Sequence, residues 1–364
     1  MKANGSHSLV FMPQLHSLRA LAILAVMYTH YLPEKYWIFG IYWGGLGVRC
    51  FFVLSGFLIT SILLRESSAA PSFKPLYLTF ISRRAFRLYP ILLITLVAGA
   101  ALGIEAVRET FLWDLTYLTN FYVIKINDWP GAVAHLWSLA VEEQFYLVWP
   151  FVIFFVPRHL LPTVLFSLIA VSPIFRLAWS SAGLGDFGAW VMPPACFVAL
   201  AMGALLALFK AERRLIGVVG LVGFCLWLAV TFSPIGRLWF VANAEIALTA
   251  VSMIFVWVIA RAAVGFAGLA GRILRSRVLQ YVGTISYGMY VLHGFVPYYV
   301  DLVGVNHVLR WSQSTMLAFA TTFLMASVSW HILEQPMMRW GRRLIDSRKE
   351  PAAPGFATNL RGDG

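Results

Sequence analysis

The sequence predicts an all-α polytopic membrane protein of about ten transmembrane helices with both termini cytoplasmic, and three observations carry that prediction. Of 364 residues, 60% are hydrophobic and only 12% charged, about half the roughly 25% charged residues of a soluble domain. Mean hydropathy is +0.76, and apolar blocks of about twenty residues recur, the length of a helix crossing a bilayer of roughly 30 Å. The 28 Lys and Arg residues are also unevenly placed. With the N-terminus inside, 21 fall on the cytoplasmic side, five outside (Lys35, Arg108, Lys125, Arg237 and Arg310) and two, Arg49 and Arg176, within spans. That bias fixes the orientation.

The spans fall at about 17–33, 44–64, 85–104, 136–157, 161–179, 189–209, 215–233, 238–260, 278–300 and 313–333. The segment 105–135 is apolar in part, but it is short and carries Asp114 and Asn120. Counting it as a span would move the clusters Arg213/Arg214 and Arg272/Arg275/Arg277 outside, so a re-entrant or interfacial element is expected there. Residues 1–14 read as a cytoplasmic segment, 15–341 as the membrane domain and 342–364 as a disordered cytoplasmic tail. A single lysine precedes the first apolar run and a second span follows closely. This reads as an uncleaved first helix and not as a removable signal peptide. The net charge of +12 invites a nucleic-acid reading, but basic cytoplasmic loops account for it, and no nucleic-acid partner is expected. Cys50, Cys196 and Cys225 lie inside apolar blocks at spacings unlike those of metal ligands, so no metal site is expected.

Ionisable groups inside spans are costly unless paired or facing a cavity, so each is a functional candidate. They are Arg19, His30, Arg49, Glu142, Glu143, Arg176, Glu245, His293, His331 and Glu334. The competing reading for each is a structural pair between helices. Arg19 and His30 are eleven positions apart on the first span, three turns plus about 20° and about 16 Å along one stripe. A neutral imidazole there suits a general base. Arg84 and Arg87 open the third span on one helix face, and guanidinium forks suit phosphate oxygens, although a positive-inside anchor explains them equally. Gly44 to Gly56 and Ser55 on the second span allow close helix approach. Glu142 and Glu143 point about 100° apart, so one serves a polar partner while the other is expected to face the interface. The tenth span is expected to finish at 331–336, where Pro336 ends or kinks it.

From His16 to about Arg343, these stretches resemble the membrane-bound acyltransferase family 3, which O-acetylates bacterial surface glycans. Arg19 and His30 fit the family's Arg-ten residues-His pattern, and Arg84-Ala85-Phe86-Arg87 its Arg-x-x-Arg motif. Phe51 to Phe57, Trp137 to Tyr146, Ser286 to His293 and Glu334-Gln335-Pro336 match four further blocks in order. One departure stands out: the family commonly has an acid before the first-span leucine and arginine, where this chain has His16-Ser17. No extracytoplasmic hydrolase-like domain of the kind longer relatives carry is expected after the tenth span.

The resemblance implies an O-acetyltransferase of the bacterial inner membrane, with no bound cofactor, that takes an acyl group from cytoplasmic acyl-CoA, acetyl-CoA by default. The acceptor would be a hydroxyl of a carbohydrate or lipid-linked glycan, such as exopolysaccharide, O-antigen or lipo-chitooligosaccharide. Membrane lipids and a homodimer complete the expected partners. His30 would be the catalytic base or a transient acyl carrier. Arg19, Arg84 and Arg87 would hold the donor, with Ser55, Glu143 and Glu334 as further substrate-binding residues. A transporter or flippase using the same polar stripe without covalent chemistry is the rival.

Overall fold

The computed structural model describes residues 12–69, 72–185, 187–209, 213–232, 240–302 and 311–347. Residues 1–11 and 348–364 lie outside the described ones, as do Lys2, Lys210, Arg237 and Arg310 of the charge count. Among the described residues all regular structure is helical, and eight helices are long and apolar enough to cross a membrane. The chain is a multi-pass membrane protein.

Helix α1 (Pro13–Tyr31) is followed by α2 (Trp43–Ala69) and α3 (Phe73–Ala101). Two short helices, α4 (Glu105–Leu115) and α5 (Thr119–Ile126), fill the segment expected not to span. At 11 and 8 residues they are too short to cross. Then come α6 (Leu136–Phe155), α7 (Leu161–Ser181), the single turn α8 (Gly188–Val191), α9 (Pro193–Phe209), α10 (Arg213–Phe232) and α11 (Phe240–Val264). The last group is α12 (Gly268–Leu274), α13 (Arg277–Leu292), α14 (Val296–Leu302), α15 (Trp311–Ser329) and α16 (Gln335–Ser347). A helix occupies each of the ten expected spans.

Two details differ from expectation. The span expected over 278–300 is two helices, because α13 stops at Leu292 and α14 starts at Val296. Pro297 has no N–H to continue the ladder, and Gly294 precedes it, so the chain breaks there and leaves His293 at a joint. The tenth span does not finish at Pro336. A π-helical turn, Trp330–Glu334, takes up the missing hydrogen bond, and the helix runs on through α16 to Ser347.

Small residues set the spacing. A Cβ added at Gly56 of α2 would strike the Leu200 carbonyl of α9, and one at Gly203 of α9 would strike the Val53 carbonyl of α2. The two backbones touch, which apolar solvent alone does not enforce. Gly47 of α2 and Gly283 of α13 likewise press against the Ala22 and His16 carbonyls, clasping α1 from both sides. Its first turn is tied down as well, since the Gln14 amide exchanges two hydrogen bonds with the Phe266 backbone and Ser17 donates to the Leu274 carbonyl. The apolar interior falls into two clusters. One face of α1 (Ile23, Met27) belongs to the first with α3, α13 and α14, and the other (Leu15, Leu18, Ala22) to the second with α2, α6 and α9. Cavities run along the seam between them.

Candidate active site

Three cavities follow α1 in series. The first, about 390 Å³, is lined by His16 and Arg19 of α1, Ser55 of α2, Arg84 and Arg87 of α3, Glu142, Glu143 and Tyr146 of α6, and Tyr287 of α13. A neck of about 50 Å³ comes next, walled by Arg19, Val48, Phe51, Phe52, Ser138, Glu142, Ser286 and Tyr290. The third, about 540 Å³, is lined by His30, His135, Tyr290, Arg49, Arg176 and a set of aromatic rings including Trp129, Trp137 and Trp190. Arg19 borders the first cavity and the neck, and His30 borders the third. The shared stripe of α1 is therefore the wall of one interrupted passage.

In the Arg19 chamber three guanidinium groups and His16 face two carboxylates. The Arg84 guanidinium lies 3.8 Å from the Tyr146 ring centre and 5.1 Å from that of Phe80. Among the described residues the Nε atoms of Arg19 and Arg84 are buried with no hydrogen-bond partner. Ser55 donates to Glu142 Oε1 at 3.1 Å, and the Tyr146 hydroxyl is 2.8 Å from Ser55 Oγ and 3.1 Å from Glu142 Oε2. The partner of Ser55 is thus Glu142, one position before the acid singled out from sequence. Neither acid faces the interface: Glu143 is buried in the same chamber as Glu142, its Oε1 without a hydrogen-bond partner among the described residues. Glu334 is not on the chamber wall. It is buried on the π turn, accepts from Ser329 at 3.0 Å and abuts Gly288 of α13. The sequence reading missed Tyr146, and only the helical phase of α6 against α2 distinguishes Glu142 from Glu143. His331 is exposed, with Tyr281 at 3.3 Å, and lines none of the three cavities.

At the other end, His30 Nδ1 lies 2.8 Å from His293 Nε2. His293 Nδ1 is 2.6 Å from the Tyr290 carbonyl, which can only accept. In the neutral ring Nδ1 of His293 therefore carries the proton and its Nε2 accepts. The bond from His30 must then be donated by Nδ1–H, which leaves His30 Nε2 with a free lone pair, on a side chain accessible from its chamber. His135 packs beside this pair, its ring centre 4.3 Å from that of His293, and its Nε2 donates to the Val291 carbonyl at 3.1 Å. Tyr31 donates to the His293 carbonyl at 2.9 Å, and Tyr290 to that of His135 at 3.0 Å. The Val291 and His293 carbonyls lie at or beside the break between α13 and α14. His135, a lone histidine before α6, left no sequence signal.

A family described as "Acyltransferase domain" matches residues 12–332, most of the chain and both chambers. The chain belongs to that acyltransferase family. It is 28% identical over 367 aligned residues to "O-acetyltransferase OatA" of Staphylococcus aureus, covering 91% of this chain and 58% of that protein. It is 26% identical to "Peptidoglycan O-acetyltransferase OatA" of Listeria monocytogenes, covering 94% and 58%. With "Putative peptidoglycan O-acetyltransferase YrhL" of Bacillus subtilis the figures are 27%, 93% and 56%. The chain thus spans little more than half the length of these relatives. No solved structure matches it.

Proposed function

We propose that the chain is a membrane O-acetyltransferase of the bacterial inner membrane that moves an acetyl group from cytoplasmic acetyl-CoA, through the seam along α1, to a sugar hydroxyl on the far side. The observation that carries this reading is the series of cavities with cations at one end and a lone-pair imidazole at the other. The Lys and Arg bias supports a cytoplasmic Arg19 end. Arg84 and Arg87, with Arg19, offer guanidinium forks to the phosphates of the donor. The neck between Phe51 and Phe52 is the path proposed for its thiol arm.

At the neck's exit His30 Nε2 accepts the proton of the acceptor hydroxyl, and the oxygen attacks the thioester carbonyl. The C–S bond breaks, the thiolate takes the proton back from His30, and the products are an O-acetyl sugar and free thiol. His293 holds the His30 ring in the tautomer that this needs. The names of the relatives support a glycan acceptor, and the acceptor proposed is a cell-envelope carbohydrate of that kind.

The test is membranes given labelled acetyl-CoA, with label sought on extracted glycan. Wild type should transfer it, and His30→Ala should lose about 10²–10⁴-fold in rate while still inserted and folded. Movement of glycan without label on it would instead favour a flippase.

A further inference from the structure

The reaction proposed above uses one wall of the His30 chamber, and a second wall is charged. Arg49 of α2 and Arg176 of α7 both line it, at 6% and 3% exposed. Arg176 is fully engaged. Its Nε is 3.1 Å from Glu245 Oε1 of α11, its Nε and Nη2 donate to the Ala195 carbonyl at 3.2 and 2.8 Å, and its guanidinium lies 5.2 Å from the Trp190 ring centre. Arg49 is not. Its Nη1 is buried with no hydrogen-bond partner, and it forms no ion pair among the described residues. Among the described residues two guanidiniums share the single carboxylate of Glu245, which leaves one positive charge at this wall. A desolvated, unpartnered arginine is costly in a folded protein, and an anion arriving from the chamber removes that cost.

We propose that this wall is an acceptor subsite for an oxyanion: the glycan unit presented to His30 carries a negatively charged group, bound by Arg49, while a hydroxyl of the same saccharide reaches His30 Nε2. The proposal rests on the acetyl-transfer reading for the role of His30, but not for the binding itself. The single excess charge matches a monoanion, and the paired N–H donors of Arg49 fit the two oxygens of a carboxylate or of a phosphodiester. Trp129, Trp137 and Trp190 line the same chamber and give flat apolar faces for the sugar rings.

The experiment uses the purified full chain in detergent with no acyl donor present. Three trisaccharides of one backbone are titrated: neutral, with a C6 carboxylate, and with a C6 methyl phosphodiester. Tryptophan fluorescence reports binding. Wild type should bind a charged trisaccharide at least about tenfold tighter than the neutral one, as expected for a charge-assisted hydrogen bond. Whichever anion binds tighter identifies the group. Arg49→Gln should bring charged and neutral sugars to equal affinity, and Arg49→Lys should keep part of the preference, with thermal midpoints reporting that both are folded. Equal binding of all three by wild type, no response to any of them, or an undiminished preference in Arg49→Gln would overturn the subsite. Failure of acetyl transfer leaves this binding measurement readable. Conversely, transfer from labelled acetyl-CoA to neutral and charged sugars alike would remove the subsite and leave the acetyltransferase standing.

Discussion

The Arg19 chamber and the His30 chamber draw on the same helices, α1, α2, α6 and α13, yet they are furnished for different chemistry. The first holds three guanidiniums, His16 and two carboxylates braced by Ser55 and Tyr146, a setting for a ligand with several negative charges. The second holds an imidazole whose proton position is fixed by its neighbours, a ring of indoles and a single uncompensated guanidinium. A neck of about 50 Å³ separates them. In the proposed reaction one end would hold the donor and the other would react, and Gly47 and Gly283 press on α1 between them.

If that division is right, substitutions at the two ends fail in different ways. The largest loss after His30→Ala is expected for His293→Ala, which removes the acceptor for His30 Nδ1–H and frees the ring to adopt the other tautomer. The acetyl-transfer rate should fall about ten- to a hundredfold, the worth of one buried hydrogen bond of about 1.4–2.8 kcal/mol, and its pH profile should shift while donor affinity stays unchanged. An unaltered rate and profile would reduce His293 to packing. At the other end, Arg84→Ala or Arg87→Ala should raise the apparent KM for acetyl-CoA about tenfold and leave that for the acceptor alone. Titrating both substrates against each variant separates a donor site from a topology anchor, because an anchor would change insertion and not KM.

A smaller effect concerns the α4–α5 corner at the His30 end. Asp114 accepts from Thr110 and Thr119, each at 2.6 Å, and burial pushes its carboxyl up to about 7 against the pull of those two hydroxyls. A carboxyl raised in the folded state lends stability that is fully present below its ordinary value near 4 and is lost as pH rises through about 7. Asp114→Asn cannot ionise, so its thermal midpoint should improve relative to wild type between pH 5 and 8. A constant gap between the two proteins across that range would show that the corner does not titrate.

Much of the architecture was legible because it depends on local composition. Apolar block length and the placement of Lys and Arg located ten helices, and the polar content of 105–135 marked it as too short to span. Arg84, Arg87 and the Arg19–His30 stripe were legible for the same reason, since helical phase alone fixes which side chains share a face. What could not be read depends on contacts distant in sequence. His30 meets His293 across 263 positions, and the choice of Glu142 over Glu143 depends on how α6 is rotated against α2. Arg49 was visible as a charge inside a span, but its lack of a partner follows from Glu245 lying with Arg176 instead.

On this reading the two chambers are the ends of one acyl route across the membrane. Sealed vesicles with the Arg19 end outward, given labelled acetyl-CoA only in the outer medium, test it most directly. The account predicts ester label on lumenal glycan, protected from an added esterase until detergent opens the vesicles, and absent with His30→Ala. Label that the esterase removes before detergent is added would contradict it, because donor and acceptor would then meet on the same side.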